Sequence, residues 1–335
     1  MKILFVVSGT ARVAASRYRV YQYLPYLSSA GVDFRVVSIL SDFLTMLSIR
    51  SPEFMSVTRL VYYLALFIER FFRFWMVFFM AASYDVVFLQ RAIFPAGLGK
   101  LLKVRNRSIV FDIDDAIFLP DTQDRGVITR FKAFVKEREV QDSLRVSKSV
   151  IVENDYIGRY VSGYCANVHK IPGPIDTDRY FVKPKTAAAG VITIGWIGSP
   201  ATTAYLHILD NAFRALLERF PELRIALIGA GNYDLGTDRI IKKPWAYDTE
   251  VDLLQGFDIG IMPMPDDEWT KGKLGCKMLQ YMAVGVVSVV SYTSTNAEVI
   301  KDGVNGFMVK TEIEWIERLS DLVKDPDARA RIGAE

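Results

Sequence analysis

Lys273 and Lys277 stand four positions apart in KGKLGCKMLQYMAVGVVSVVS, Lys271 to Ser291, where a helical pattern opens and then ends in a Gly turn before a β-branched run. Residues four apart share a face of a helix. A helix beginning near them adds unpaired backbone N–H groups and a positive dipole end to the two ammonium groups, and the natural guest of such a cluster is a diphosphate. The same spacing also describes two solvated lysines on an ordinary amphipathic helix, so other features have to decide.

Further candidates lie in three places. FDIDDAIF presents Asp112, Asp114 and Asp115 at the end of an expected strand, where carboxylates can bind a metal, orient hydroxyls or accept a proton. The plainer alternative is that Asp112 pairs with an arginine and Asp115 caps a turn. Arg17 and Arg19 in SRYRVYQYL follow the loop of the first strand, and their guanidinium forks suit a phosphate or a carboxylate at a cleft mouth. Surface ion pairing is the equal rival for them. In IGWIGSPATT a strand runs into Gly198 and Ser199 ahead of a helix, which lets backbone approach a ligand closely. Neither GxGxxG nor a P-loop pattern occurs, which argues against a dinucleotide dehydrogenase and a P-loop NTPase. The two histidines, His169 and His207, have no triad setting and read as structural.

The elements that must position these residues alternate in type. KILFVVSG, VDFRVVSIL, YDVVFLQR, SIVFDIDD and SVIVEND are buried β-branched runs, with a helical stretch Ser16 to Ser29 after the first. After Pro172, Gly173, Pro174 and KPKTAAAG a second series begins: ITIGWIGS, a helix to about Arg219, RIALIGAG, FDIGIMPM, VVSVVS and GFMVK. Strands alternating with helices predict parallel sheets covered on both faces. The breaker-rich stretch sets two domains, residues 1–180 and 190–335, as expected from a length of 335. Facing each other, two doubly wound halves would form a cleft at the carboxyl ends of their strands.

Two separated cysteines, Cys165 and Cys276, offer neither metal spacing nor a disulfide framework, and with no cleavable signal pattern they point to a reduced cytoplasmic setting. The net charge of +3 is uneven: residues 1–110 carry 14 Lys or Arg against 5 Asp or Glu, a net of +9. That half should meet an anionic partner, and without a nucleic-acid-binding signature a membrane surface fits better. Residues 54–84, FMSVTRLVYYLALFIERFFRFWMVFFMAASY, strengthen this choice. Their longest uncharged run is 11 residues, short of the roughly 20 a membrane span needs. Arg59, Arg70 and Arg73 would fall within about 60° on a helix, giving a basic strip on an apolar cylinder that can lie in a lipid interface. A core helix, or a pair of helices, capped by arginines is the alternative.

Taken together, GCKMLQYMAVGVVSVVS followed by STNAEVIKDGVNGFMV resembles the C-terminal donor-site signature of glycosyltransferase family 4, and SRYRVYQYLPYL, FDIDDAIF, IPGPIDTDRYF, GWIGSP and DIGIMPM extend the likeness over nearly the whole chain. The resemblance implies a GT-B fold, an α/β arrangement of two Rossmann-like doubly wound domains across a cleft. It also implies a nucleotide-diphosphate sugar donor, no essential metal or other cofactor, and retention of anomeric configuration. Carried over by position, Gln280 stands where the second Glu of the family's E-x7-E motif meets the ribose, and Gly272 stands at the first, so both carboxylates are missing. GWIGSPATT also lacks the Arg and Lys that many members use for the diphosphate, leaving Lys273 and Lys277 to neutralise the leaving group. Ser294, Thr295, Asn296 and Glu298 fall in the segment that approaches donor sugar and phosphates, and Trp245 falls where the base packs. By the same resemblance, the family's usual N-domain histidine is replaced by the aspartates, with Asp114 as the candidate. The chain stops at RIGAE, where relatives continue into a further helix.

The expected protein is therefore a cytoplasmic glycosyltransferase, peripheral on the inner face of the membrane through residues 54–84, that builds a lipid-linked or cell-surface glycan precursor. Its catalytic candidates are Asp114, Asp115, Lys273 and Lys277, and its acceptor-side candidates are Arg17, Arg19 and Asp112. A nucleotide-sugar epimerase or hydrolase, or a non-catalytic nucleotide-sugar binding protein, is the rival expectation.

Overall fold

The computed structural model describes residues 1–41, 43–44, 56–95, 97–119, 127–183, 190–273 and 275–335. Phe54, Met55, most of the KPKTAAAG linker and Leu274 lie outside them, as does the side chain of Arg59. The chain divides after Pro174: Met1–Pro174 with Gly272–Leu274 make one compact unit, and Ile175–Lys271 with Gly275–Glu335 the other.

The first unit is a six-stranded sheet of β1 (Lys2–Val7), β2 (Asp33–Ser38), β3 (Val86–Gln90), β4 (Ile109–Ile113), β5 (Ser149–Val152) and β6 (Val168–Lys170), in the order β2-β1-β3-β4-β5-β6. The second contains β7 (Ile192–Ile197), β8 (Leu223–Ile228), β9 (Ile240–Lys243), β10 (Ile259–Met262), β11 (Val287–Ser291) and β12 (Phe307–Val309), in the order β12-β11-β10-β7-β8-β9. Every strand pair in both sheets is parallel. Continuous runs such as VVSVVS make such strands because β-branched side chains pack well where both faces of the sheet are covered. Each unit has its own core, built around Leu4, Phe111 and Val150 in the first and around Ile194, Phe213 and Val289 in the second. Strand order reverses between β1 and β3 and between β7 and β10, and ligands of such sheets bind at the carboxyl ends of strands at these points.

Three local expectations are corrected. The helix expected over Ser16 to Ser29 is split into Ala14–Arg19, a 3-10 turn Tyr21–Tyr23 and Leu24–Ser29. Pro25 explains the break, because it has no N–H to donate and its ring collides with the preceding turn of a helix. The helix expected up to Arg219 begins as a long 3-10 stretch, Pro200–Leu209, before the α-helix Asp210–Arg219.

The third concerns the aromatic segment, which forms one helix, Ser56–Ala81. Phe74, Val77 and Ala81 are its buried stripe. Of the expected basic strip, Arg70 donates to the carbonyl of Ile93 and to Glu139, while Arg73 stays partly exposed and pairs with Glu69 one turn away at 3.4 Å. What the helix exposes is apolar, with Phe72 at 68% and Phe79 at 65% exposure alongside Val61, Leu64, Phe67, Ile68 and Phe71. No helix among the described residues is long and apolar enough to cross a membrane.

Candidate functional site

At the carboxyl end of β7 the chain turns through Gly198 into the 3-10 stretch. Ser199 caps it reciprocally with Thr202, and the Thr203 hydroxyl accepts from the Gly231 N–H at 2.8 Å, tying this loop to the end of β8. Gly198 is required by close packing: a Cβ there would stand 2.3 Å from the Trp196 ring and 2.9 Å from Thr202 Oγ1. The helix Cys276–Ala283 places Lys277 in its first turn, with Nζ 4.3 Å from the Trp196 ring centroid and 3.5 Å from Thr202 Oγ1. An ammonium group, a capped loop and the start of a helix therefore meet beside the β7/β10 switch point, an arrangement suited to an anion.

The other donor-side candidates surround the same strand ends. Ser291, the last residue of β11, accepts from the Met264 N–H through its hydroxyl, and its carbonyl accepts from Asn296 Nδ2 at 2.9 Å. Asn296 is buried, and its Oδ1 has no partner among the described residues, 3.2 Å from where a Cβ on Gly275 would stand. Thr295 is buried beside the Thr293 hydroxyl at 3.1 Å, while Ser294 and Glu298 are exposed. Gln280 is buried too: its Nε2 donates to Glu250 Oε1 at 2.6 Å and to the Tyr180 hydroxyl at 3.3 Å. Glu250, wholly buried, also accepts from the Tyr180 hydroxyl and from Nε1 of the half-buried Trp245.

Lys273 is a correction. The helix begins at Cys276, so Lys273 precedes it and shares no helix face with Lys277. Lys273 is counted with the first unit, where its charge acts on Asp115. Its neighbour Gly272 has no room for any side chain, since a Cβ would lie 2.4 Å from that of Ala116, so a carboxylate at this position is sterically excluded.

In the first unit the aspartates are arranged by arginines. Arg91, at φ 48° the one non-glycine residue with positive φ among the described residues, forms ion pairs with both Asp114 and Asp115. Burial opposes ionisation of Asp115, but Arg91 and then Lys273 outweigh it and hold the carboxyl below its usual range. Arg19 reaches Asp112 through two nitrogens and Glu153 through a third contact, and donates to the Ile171 carbonyl at 2.9 Å. Burial pushes Asp112 up to about 6 and Glu153 up to about 7, with Arg19 opposing in each case. Arg17, Arg19 and Asp112 are all buried. Arg19 and Asp112 brace one another inside the unit, and the Arg17 Nη1 donates to the Ala11 carbonyl at 3.2 Å.

Residues 191–325 match the family model Glycosyl transferases group 1. No curated protein matches the chain in sequence. Among solved structures, HepE of Anabaena, in complex with UDP and glucose, is 18% identical with a TM-score of 0.67, over 100% of this chain and 93% of that one. Sucrose-phosphate synthase from Thermosynechococcus elongatus is 12% identical with a TM-score of 0.69, over 100% and 92% of the two chains. A UDP-forming trehalose-phosphate synthase from Burkholderia xenovorans is 11% identical with a TM-score of 0.63, over 99% and 93%. The fold is GT-B, as expected from the sequence.

Within this GT-B chain the structure gathers Gly198, Ser199, Lys277 and the Gln280–Glu250–Trp245 group in the second unit, and Asp112, Asp114 and Asp115 in the first. Sequence reasoning missed Glu250, Tyr180, Arg91 and Glu153. An acid in the first turn of a helix, as Glu250 is, reads as favourable placement against the dipole. Nothing in WAYDTEVDLLQ signals that it is buried.

Proposed function

We propose that this protein is a glycosyltransferase that moves a sugar from a nucleoside diphosphate to a lipid-linked or cell-surface glycan precursor with retention of configuration. The observation that carries the reading is the Lys277 ammonium beside the Gly198–Ser199 loop, within the part of the chain that matches Glycosyl transferases group 1. Lys277 and backbone N–H groups of the loop would take the diphosphate, Gln280 the ribose and Trp245 the base. Ser294, Thr295, Asn296 and Glu298 would border the donor sugar. Lys273, Asp114 and Asp115 would act on the reacting centre as a charged set held by Arg91. No metal is required in this scheme: neutralising charge on the departing diphosphate falls to lysine.

UDP is the first donor to test, because HepE and the trehalose-phosphate synthase are described with it. Thermal unfolding with UDP, GDP, TDP and CMP should show one nucleotide raising the melting temperature. Donor sugar should then be consumed only when acceptor is present. Consumption without acceptor would establish a hydrolase or epimerase instead, and tight binding with no product from any mixture would establish a binding protein.

Features of the first unit support a membrane-borne acceptor. The helix Ser56–Ala81, with its exposed apolar residues, packs against the helix Leu98–Arg105, whose exposed Lys100, Lys103 and Arg105 alternate with exposed Leu101 and Val104. The Arg105 guanidinium lies 5.8 Å from the Phe78 ring, joining the two helices. The neighbouring helix thus adds exposed cations to the apolar surface, and this combination suits the inner membrane face with its anionic lipids. The chain should sediment with vesicles of phosphatidylcholine and phosphatidylglycerol, and Phe72→Ser with Lys103→Glu should release it. Residence in the supernatant at every lipid composition would refute the membrane assignment.

A further inference from the structure

Glu250 opens the helix Glu250–Gln255 and is wholly buried, yet three donors from separate segments of the second unit converge on it. The Tyr180 hydroxyl comes from the segment after Ile175, the Trp245 indole from the loop after β9, and the Gln280 amide from the helix Cys276–Ala283. A carboxylate can only accept, and the single hydroxyl proton of Tyr180 is donated to it. The Gln280 group facing both must therefore be its NH2, which turns the carbonyl oxygen of the amide away from the carboxylate. Donation to an ionised acceptor makes this polarity strong, and the loss of either partner would leave a buried group unmatched.

We propose that Glu250 is a positioning residue for nucleotide binding, which holds the Gln280 amide with its oxygen directed outward and keeps the Trp245 indole in one orientation. The inference rests on the reading of Gln280 and Trp245 as nucleoside contacts. It also accounts for the amide at 280 in a likeness whose pattern has Glu there. With Nε2 2.6 Å from Glu250 Oε1, a glutamate at 280 would place two carboxylates at hydrogen-bond distance, and one would have to hold a proton. The acid at 250 and the amide at 280 are thus a matched pair, and exchanging them conserves the hydrogen bond while moving the charge.

The test is a tryptophan-fluorescence titration of the full chain with UDP at pH 5.5 and 8, alongside the unfolding temperature of each unliganded variant. Glu250→Gln and Gln280→Glu should each weaken UDP binding by about tenfold at pH 8, the size expected when a buried hydrogen bond is mismatched. The Gln280→Glu defect should shrink at pH 5.5, where the two carboxylates can share a proton. The exchange of both residues, E250Q with Q280E, should return the Kd to within about threefold of the original. Gln280→Glu with and without the second change carries the test even if Glu250→Gln alone fails to fold. A double variant no better than Gln280→Glu, or single variants that bind UDP unchanged, would overturn the role of Glu250 alone. A starting protein that binds none of UDP, GDP, TDP or CMP would overturn the nucleotide reading, and the inference with it.

Discussion

Replacing Lys277 with alanine should lower kcat by about two to three orders of magnitude, the range typical when one preorganised group that meets developing charge is removed. The side chain is half-buried against Trp196 and within reach of Thr202, so its charge is screened less than that of an exposed lysine. Loss of the contact with the Trp196 face should cost about 1 kcal/mol of stability, too little to explain the kinetic defect. If Lys277 acts on the departing diphosphate, kcat and kcat/KM should fall together, whereas a ground-state contact would raise KM alone. Lys277→Arg should recover part of the rate. Lys273→Ala should also impair turnover but through a different route, because Lys273 precedes the helix and acts on Asp115. Full activity of both alanine variants on the true donor would refute a phosphate role for these lysines.

Arg19→Ala should be the most destabilising single change in the first unit. The guanidinium is the shared partner of Asp112 and Glu153, with side-chain exposures of 6% for Arg19, 0% for Asp112 and 3% for Glu153. Its removal leaves two buried carboxylates without compensation, a loss of about 3–5 kcal/mol in comparable cases. Chemical denaturation at pH 7 would measure it, and a loss below 1 kcal/mol would show that the cluster is not structural. The pH dependence has a definite sign. Glu153 holds its proton up to about pH 7 when folded, against an ordinary value of 4.5. Between these values the folded chain binds a proton that the unfolded chain releases, so stability falls as pH rises through the window and is fully present below it. The deficit of Arg19→Ala should accordingly shrink toward pH 4.5, and Glu153→Gln should flatten the slope in the native background.

Much of the architecture was legible in advance because strand and turn signals are local. Runs such as VVFLQ and VSVVS identify themselves by β-branched residues, and the spacing of helices between them admits only parallel pairing in practice. The Pro172–Gly173–Pro174 breaker is local in the same way, and the first unit's long segment ends at its last residue. Pro25 shows the limit of periodicity: the apolar pattern ran through it as one helix, but a missing donor and a ring clash broke the element.

The site residues divide along a different line. Gly198, Ser199 and Lys277 are candidates that type and order single out, since a strand, a turn and a helix start carry their own geometry. The partners of buried charges could not. Arg19 reads as a surface guanidinium in SRYRVYQYL, yet it meets Asp112 and Glu153 across 93 and 134 positions of chain. Arg70 reads as part of an outward basic strip, and it is turned toward Glu139. Glu250 and Gln280 are 30 positions apart and become a pair only because the fold brings the start of the Glu250–Gln255 helix within hydrogen-bond reach of the Cys276–Ala283 helix. Sequence alone determined the strands, their parallel order of layers and the anion-suited turn, because these depend on neighbours along the chain. Tertiary structure decided which charge faces which, because desolvation and pairing depend on elements brought together from far apart, and no local pattern encodes that meeting.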